Sequence, residues 1–567
     1  MKIYPAKNAE VRRKKFKHFA VVALSISFAW TIPLTAFVLP PETNTTVQAF
    51  AYPEPNDEAT ASAIKDVLVG RTGFGTEAPR FSHAVRLYYV ARQFKPVWSR
   101  ADRLLPIAED LRQTVGAIGE EGLDPDRPDY HRRMLDAWMD EGNETRPERL
   151  ARMDLLLTDA FFALGRDLHF GVAYGADLNA THEYDNRPVD LAAALNYAAS
   201  HGAVREILMD LAPHQPEYRR LREALAAYRR LDREGGWSTN AADYAFEDNV
   251  RRRLIATGDL IDFVAADRAV EEAKLREAVR HFQRRHGIAD DGLVGPITAG
   301  KMAIAPEVLI EKIALNMERW KWLPPYEEGP RIIVNIPGYE LEVKEADGSV
   351  LRMRAIVGRL ERETPTFASK MRYIVYNPYW HVPETILKED LIPKLRRNPH
   401  YLDAKRMKIF AAGDRNETRP IDPGTIKWKR WADNDIDRYV FREEPGPENP
   451  LGYIKFIFPN PYDVYIHDTP SHSLFKNSNG TFSSGCIRIR KPVELAYYLL
   501  SMDEPEITYR EILLQILSGE TRWVRLEHTP NVYVTYQTAR VAENGQVYFY
   551  DDIYGYDAKL EDYLIEN

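Results

Sequence analysis

The chain has almost no cysteine: Cys486 is the single one among 567 residues. One thiol cannot form a disulfide within the chain, so packing must provide the stability that disulfides give many exported proteins. The thiol is therefore free for chemistry, although a lone cysteine is more often a small buried hydrophobic side chain. The neighbours of Cys486 decide between these two interpretations.

The chain also lacks an excess of positive charge and any CxxC or HExxH metal-binding spacing. Its net charge is −8, and the 516 residues after Ala51 carry −13. Such an acidic body repels a phosphate backbone, which argues against nucleic acid as a partner. With 44% apolar and 28% charged residues, the sequence has the composition of a globular protein of three or four domains. We predict no metal and no cofactor.

The N-terminal part contains one long apolar run, Phe19 to Leu39, directly preceded by five basic residues between Arg12 and Lys17. A basic flank keeps the N-terminus in the cytoplasm and directs the following chain across the membrane. The run is long enough, at roughly 20 residues, to span a bilayer, but Pro33 interrupts it and Ala49-Phe50-Ala51 offers a cleavage site. A buried core helix is the third alternative. We predict a cytoplasmic N-terminus over 1–18, a transmembrane anchor or signal sequence over 19–39, a linker over 40–58 and a body in the periplasm.

Residues 59–268 are predicted to form a helical domain. Apolar side chains recur at helical spacing in 104–111, 150–168 and 191–231. No group of residues in this stretch suggests catalysis, so we interpret it as a scaffold domain.

A compact unit is predicted over 269–304. Leu275 to Gly287 has the pattern of an amphipathic helix that ends at a glycine, and a glycine-rich turn then leads into a second helix at Pro296. Such an arrangement also occurs in inert connectors and in DNA-binding proteins, but an acidic exported body disfavours DNA. The run from Phe282 to Thr298 resembles the small peptidoglycan-binding domain of cell-wall enzymes.

Beyond Arg331 the apolar pattern changes from helical to alternating, which predicts strands. The charged, proline-containing stretch 384–444 interrupts this region, and we interpret it as a capping insertion over the site or as a surface excursion without function. The catalytic domain is predicted over 305–520, followed over 521–567 by a β extension with a hairpin turn at Asn544-Gly545 that continues the sheet or covers its edge. The predicted strands are 332–336, 339–343, 351–355, 373–376, 453–458 and 464–466, and the predicted helices are 492–501 and 510–518.

The strongest chemical signal is Ser483-Ser484-Gly485-Cys486, which ends nineteen residues after His467. A thiol with the ordinary pKa of about 8.5 is mostly protonated at neutral pH, so a nucleophile needs an imidazole nearby. His467 ends a predicted strand and Cys486 follows a glycine turn, which lets the two meet across a sheet. Gly485 allows close approach of the backbone, and the amides around it would face the oxyanion of an acyl transfer.

The residue that orients His467 is left open by the sequence. Asp468 directly follows it and would point to the opposite face of a strand. Asp468 as the third member of a triad is therefore one hypothesis, and a backbone carbonyl that holds the imidazole is the other.

Two groups of residues look superficially like metal ligands, and neither has a metal-binding spacing. His281 and His286 lie five residues apart, which does not place both on one helical face, so we expect them to pack or to lie at the surface. The second group is Cys486, His467, His472 and Asp468.

These residues carry a resemblance to a known family. The segments 445–452, 464–470 and 482–488 look like the L,D-transpeptidase family with its YkuD-type catalytic domain, and the whole exported body resembles the large multidomain YcbB-like class. The resemblance implies an α+β multidomain fold, with a helical scaffold domain, a small helical peptidoglycan-binding domain and a mainly-β catalytic domain carrying an inserted capping segment. Ser484 and Arg488 depart from the wider family pattern, where a histidine and an asparagine stand.

The resemblance also implies a reaction. Cys486 would attack the carbonyl on the L-centre of diaminopimelate in a tetrapeptide donor stem and release D-alanine, with His467 as base and then acid. The amine of a second stem would convert the thioester into a 3→3 cross-link, whereas water would make the site a carboxypeptidase. Peptidoglycan stems would be the substrates and carbapenem β-lactams the inhibitors.

Five side chains are candidates for contacts with the substrate: Trp380, Tyr465, Ser483, Ser484 and Arg488. Trp380 and Tyr465 would form walls of the cleft or simply pack against the sheet, and Arg488 would bind a stem carboxylate or form a surface ion pair.

Two rival functions stay open. One is a catalytically silent wall-binding scaffold, against which the His467 and Cys486 pair speaks, and the other is a cysteine peptidase that cuts proteins, for which the sequence shows no further signature.

Overall fold

The computed structural model describes residues 55–70, 83–140, 146–176, 188–261, 268–345, 348–414 and 416–566. The predicted cytoplasmic N-terminus over 1–18, the predicted membrane segment over 19–39 and most of the predicted linker over 40–58 lie outside these ranges. Within them, no helix is both long and apolar enough to cross a membrane.

Helices fill the N-terminal part of the described chain and strands dominate the C-terminal part, which confirms the predicted α+β class. The helices are α1 Pro55–Leu68, α2 His83–Ala91, α3 Pro106–Ala117, α4 Arg132–Asp140, α5 Pro147–Phe170, α6 Leu191–His201, α7 Val204–Asp210, α8 Pro216–Arg233, α9 Glu247–Ala256, α10 Arg268–Arg285, α11 Pro296–Met302, α12 Pro306–Lys321, α13 Glu384–Ile386, α14 Ile392–Arg397, α15 Pro492–Ser501, α16 Tyr509–Leu517 and α17 Tyr556–Glu566.

The strands are mostly short. They are β1 Ser99–Arg100, β2 Arg103–Leu104, β3 Arg331–Asn335, β4 Glu340–Glu345, β5 Gly348–Gly358, β6 Phe367–Lys370, β7 Tyr373–Tyr376, β8 Trp380–His381, β9 Met407–Ala411, β10 Tyr439–Glu443, β11 Ile454–Ile457, β12 Ile466–His467, β13 Thr481–Ser483, β14 Ile487–Ile489, β15 Arg522–Arg525, β16 Asn531–Thr535, β17 Ala539–Val541 and β18 Val547–Phe549.

Helix α5 forms the centre of the scaffold because it is apolar on nearly every side, and 17 of its 24 residues are buried. It begins with Pro147, which lacks an N–H group that the first helical turn would leave unpaired anyway. A buried carboxylate on this helix, Asp154, accepts hydrogen bonds from the N–H groups of Val97 (2.8 Å) and Trp98 (3.0 Å). The polar group is thus satisfied inside the core, as burial requires.

The scaffold core extends beyond the predicted boundary at residue 268. Helix α12 packs against α8, and its Leu309, Ile313 and Met317 lie in the same apolar core as α5. The β17–β18 hairpin adds Val541 and Phe549 to that core. Residues that the sequence analysis placed in the catalytic domain and in the tail therefore pack with the scaffold, because their apolar faces meet scaffold helices.

The small helical unit begins earlier than the predicted 269. Its core includes Tyr244 and Leu254, which pack with Phe282 of α10. Helix α10 ends before Gly287, whose φ of +64° is a conformation that glycine adopts without strain.

The two histidines of this unit make local contacts. The buried His286 ring stacks on Phe282 with ring centroids 3.9 Å apart. His281 Nδ1 lies 2.6 Å from a carboxylate oxygen of Asp259, which also pairs with Arg285. These contacts are the packing roles expected from the sequence.

One sheet of eleven strands organises the β-rich domain. The strand order is β15-β7-β11-β12-β14-β5-β4-β3-β16-β6, with β13 beside β5. Because β16 lies between β3 and β6, the sheet extends past the predicted boundary at 520 to Thr535. The hairpin predicted at Asn544-Gly545 joins β17 and β18. The tail does not remain β throughout, since it ends in helix α17.

The insertion predicted over 384–444 folds around a core of its own. Helix α14 shares an apolar core with a three-stranded sheet of order β8-β10-β9. The buried side chains of this core include Leu395, Ile409 and Phe441. Trp380 of β8 pairs with Glu443 of β10, so the two ends of the insertion lie beside each other.

Candidate functional site

Two short parallel strands bring Cys486 and His467 together. Strands β12 and β14 pair in a register that places Ile466 beside Ile487 and His467 beside Arg488. The N–H group of Ile487 donates a hydrogen bond of 3.0 Å to the carbonyl of Tyr465. Cys486 is the residue before β14, so its thiol lies next to the end of β12 although nineteen residues separate it from His467 along the chain.

The turn before Cys486 is held by hydroxyl groups. Gly485 has φ +108°, which a residue with a side chain rarely adopts, and its carbonyl accepts a 2.7 Å hydrogen bond from Thr364 Oγ1. Ser483 Oγ donates to the Cys486 carbonyl (2.5 Å) and accepts from the Gly485 N–H (3.2 Å). Ser483 is buried, so it shapes the turn from within. From the sequence alone, Ser483 is instead a predicted substrate contact.

The backbone N–H groups of the turn differ in whether they are already hydrogen-bonded. The Gly485 N–H is bound to Ser483, whereas the Cys486 N–H has no hydrogen-bond partner among the described residues. A free amide beside a thiol is the type of donor that can stabilise an oxyanion.

His467 is buried and held in one tautomer. Its Nδ1 lies 2.5 Å from the carbonyl oxygen of Asp468. Since a carbonyl only accepts, Nδ1 carries the proton and Nε2 keeps a lone pair. The pKa of His467 falls to about 3, mainly because of burial and also because of the nearby Arg488 and Lys455 cations, and the carbonyls of Asp468 and Leu451 only partly oppose this shift. The imidazole is therefore neutral and able to accept a proton at neutral pH.

The carboxylate of Asp468 does not act on the imidazole. It accepts a 2.9 Å hydrogen bond from the Tyr453 N–H and lies 3.3 Å from His472. The structure therefore agrees with the second hypothesis, in which a backbone carbonyl holds the imidazole. That carbonyl belongs to Asp468 itself.

The thiol of Cys486 lies in a partly exposed aromatic corner. Burial raises its pKa, and the Tyr465 N–H and phenol, together with Lys455 and Arg488, act in the opposite direction. The Tyr465 phenol is within hydrogen-bonding reach of both the thiol and the Trp380 indole. Trp380, Tyr465 and Cys486 thus meet, and the Tyr465 ring also lies 5.6 Å from the His467 ring.

Two cations beside the thiol lack a carboxylate partner among the described residues. Lys455 Nζ lies 3.7 Å from the centre of the Tyr465 ring, and the buried Nε of Arg488 has no hydrogen-bond acceptor. Burial lowers the pKa of both groups, while the nearby thiol raises the pKa of both and Asp463 also raises that of Lys455. Two cations without an ion-pair partner favour a negative charge on the sulfur, on an oxyanion or on a ligand.

Lys455 was not singled out by sequence reasoning. It stands opposite His467 in the register of β11 and β12. The sequence does contain a signal for Lys455: it stands between the apolar Ile454 and Phe456, so its side chain lies on the opposite face of the strand from theirs. Only the strand register shows that this face carries the histidine.

Arg362 joins the capping segment to the catalytic turn. Its guanidinium donates to Asp390 (2.7 Å) and Glu389 (3.1 Å) of the capping segment, and to Ser484 Oγ (3.0 Å). The Arg362 side chain is 6% exposed. Ser484 therefore lies at the surface of the turn with its hydroxyl engaged by Arg362, which the sequence did not predict.

The C-terminal tail supports the same turn from the other side. The Tyr554 hydroxyl donates to the Gly358 carbonyl (2.6 Å) and accepts from the Thr364 N–H (3.2 Å). Thr364 in turn holds Gly485. A chain of hydrogen bonds thus runs from the tail to the residue before the nucleophile.

Comparison with known proteins gives three family matches. Residues 83–225 match a scaffold domain, 249–302 a family described as “Putative peptidoglycan binding domain”, and 329–507 an L,D-transpeptidase catalytic domain. A curated Haemophilus influenzae protein named “Putative L,D-transpeptidase” is 34% identical over 252 residues, which are 44% of this chain and 49% of that protein. The chain thus matches about half the length of this curated relative.

The Arg362 contacts predict a coupling between capping segment and turn. In Arg362→Gln, amide hydrogen exchange in 387–391 and 483–486 should be about threefold to tenfold faster, because ion pairs with partly exposed carboxylates contribute on the order of 1 kcal/mol. Arg359→Gln is the matched control, since its one ion pair among the described residues is a 3.7 Å contact with the exposed Glu361. Unchanged exchange in both segments would show that Arg362 does not couple them.

The cations predict how the thiol titrates. Replacing Lys455 with methionine removes a positive charge that lowers the Cys486 pKa, so alkylation by iodoacetamide at pH 7 should slow on the order of tenfold and its pH profile should move to higher pH. Lys370→Met, which removes a lysine paired with Glu327 away from the site, should leave the profile in place. An identical profile for both variants would rule out an electrostatic role for Lys455.

Proposed function

Because the chain belongs to the L,D-transpeptidase family, we propose that it is a peptidoglycan L,D-transpeptidase with Cys486 as nucleophile and His467 as its base. One observation carries the proposal: the neutral imidazole of His467 and the partly exposed thiol of Cys486 lie on one face of the paired strands β12 and β14, close to the cations Lys455 and Arg488. This set supplies the base, nucleophile and oxyanion stabilisation that acyl transfer needs.

The first half-reaction forms a thioester. The Cys486 sulfur attacks the carbonyl on the L-centre of diaminopimelate in a tetrapeptide donor stem, and its proton passes to His467 Nε2. The Cys486 N–H stabilises the oxyanion, assisted by the positive potential of Lys455 and Arg488. When the C–N bond breaks, His467 returns the proton to the departing amine and D-alanine leaves.

The second half-reaction transfers the acyl group. The side-chain amine of diaminopimelate in a second stem attacks the thioester, His467 accepts a proton from that amine, and the sulfur leaves and is protonated again. The product is a 3→3 cross-link, and the enzyme regains its thiol. Water in place of the amine gives an L,D-carboxypeptidase by the same steps.

Side chains around the thiol provide the contacts with the donor stem. Trp380 and Tyr465 form the aromatic wall, and Arg488 is the group for a stem carboxylate, because a buried guanidinium without a carboxylate partner binds one favourably. Ser484 and Ser483 act through the shape of the turn. No step requires a metal or a cofactor.

The remaining domains place the enzyme at its substrate. A peptidoglycan-binding unit and an apolar N-terminal segment with a basic flank favour a protein on the periplasmic side that faces the cell wall, attached to the membrane through residues 19–39 or released after cleavage. Carbapenems, which are reactive acyl donors, are the expected inhibitors.

The mass shift on reaction with a carbapenem tests the proposal on the purified protein. The wild type should gain the mass of one carbapenem, and Cys486→Ala should gain none. His467→Gln should react about 10²- to 10⁴-fold more slowly, the usual range for loss of a general base. The control is His472→Gln, an exposed histidine bound to Asp468, which should react normally.

Digestion of cell walls provides the second readout. Expression of the wild type in a bacterial strain without other such enzymes should produce 3→3 cross-linked muropeptides, and Cys486→Ala should produce none. Wild type without carbapenem acylation and without these cross-links would instead favour a silent wall-binding scaffold.

A further inference from the structure

A large groove lies between the small helical unit and the β-rich domain. Its volume is about 1400 Å³, and one side is the glycine-rich turn of the small unit with Ile297. The other side comes from the start of β4, from β5 and from the loop over 476–481. That loop leads through β13 to the turn that precedes Cys486, and Arg490 and Lys491 after β14 also line the groove, so the groove lies next to the Cys486 segment along the chain.

The charge of the groove is opposite to that of the protein. Seven lysine and arginine side chains line it against four carboxylates, whereas the whole chain carries −8. A positive concave surface on an acidic protein attracts an anionic ligand and raises its local concentration.

Four of these cations are available for a ligand. Arg354, Lys476, Arg490 and Lys491 form no ion pair with any carboxylate of the described ranges. Arg354 and Lys491 donate only to backbone carbonyls, at 2.7 Å and 3.3 Å. Lys476 and Arg490 are exposed, and their side chains have no hydrogen-bond partner within the described chain. Cations without partners leave their charge for an incoming anion.

Strand β14 connects the groove to the segment that carries Cys486. Side chains alternate along β14, so Cys486, Arg488 and Arg490 lie on one face of this strand. The Arg490 N–H donates a 3.0 Å hydrogen bond to the Arg354 carbonyl, which keeps the two arginines on adjacent strands. A row of unpaired cations thus leads from the thiol to the small helical unit.

Exposed aliphatic side chains accompany the charge. Leu293 and Ile297 of the small unit and Leu360 of the β-rich domain line the groove and are 58%, 71% and 61% exposed. A ligand that fits this surface combines carboxylates with apolar groups. A sugar chain with peptide stems has both, since the stems carry free carboxylates and methyl groups.

We infer that this groove binds a second peptidoglycan strand through its stem carboxylates, with Lys476 and Arg490 as the contacts nearest the catalytic turn. The inference rests on the proposed function and adds the location and charge requirement of the strand that accepts the acyl group. A strand in this groove would approach Cys486 along β13 and β14, on a path separate from the aromatic corner that takes the donor stem.

Binding of soluble, uncross-linked peptidoglycan chains to the full-length protein tests the inference. The double variant Lys476→Gln and Arg490→Gln should weaken binding about tenfold, and the affinity of the wild type should fall with added salt. Chains whose stem carboxylates are amidated should bind the wild type weakly, and their affinity for the double variant should be the same. The control double variant, Arg133→Gln and Arg268→Gln, removes two cations that are 88% and 89% exposed and lie outside the groove.

Carbapenem acylation of the same preparations separates this inference from the proposed function. The groove variant should be acylated at the wild-type rate, because neither residue touches the thiol. Normal acylation with unchanged affinity for the acidic chains would overturn the groove assignment alone, and so would equal affinity of the wild type for acidic and amidated chains. Absence of acylation in the wild type would overturn the proposed function.

Discussion

The parallel pairing of β12 with β14 is the constraint on which the rest of the site depends. It places His467 beside Arg488, and the thiol of Cys486 next to the end of β12. The pairing fixes the position of Cys486 only if the turn before it is also held in place. Hydrogen bonds from Thr364 and Ser483 hold that turn. Arg362 and the C-terminal tail secure it from two sides, so elements far apart in the chain converge on one catalytic geometry.

Electrostatics then determine the chemistry of the pair. Burial disfavours both the thiolate and the imidazolium, because each charged form loses hydration. In the proposed mechanism the resting pair is consequently a neutral thiol and a neutral imidazole, and the proton moves as the sulfur attacks. Lys455 and Arg488 do not change which group holds the proton at rest, but they lower the free energy of the anionic sulfur and of the oxyanion. The same positive potential extends through Arg490 into the groove beside the small helical unit.

Features that depend on local sequence could be predicted, and features that depend on register could not. Helical periodicity indicates α5 and α10, and Asn544-Gly545 indicates the β17–β18 hairpin, whereas the role of Cys486 as nucleophile stays a prediction. The roles of Lys455 and Arg362 arise from strand register and from contacts between segments more than twenty residues apart. The packing of α12 with the scaffold was missed because an amphipathic pattern shows that a helix has an apolar face but not which core that face meets.

The protonation state of His467 is the most direct test of this mechanism. Nitrogen-15 NMR of the histidine-labelled wild type at pH 6 should show a neutral His467 with the proton on Nδ1, whereas an exposed histidine would be largely protonated at that pH. Titration should reach the imidazolium only near pH 3. An imidazolium signal for His467 at pH 6, or a neutral ring with its proton on Nε2, would contradict the account.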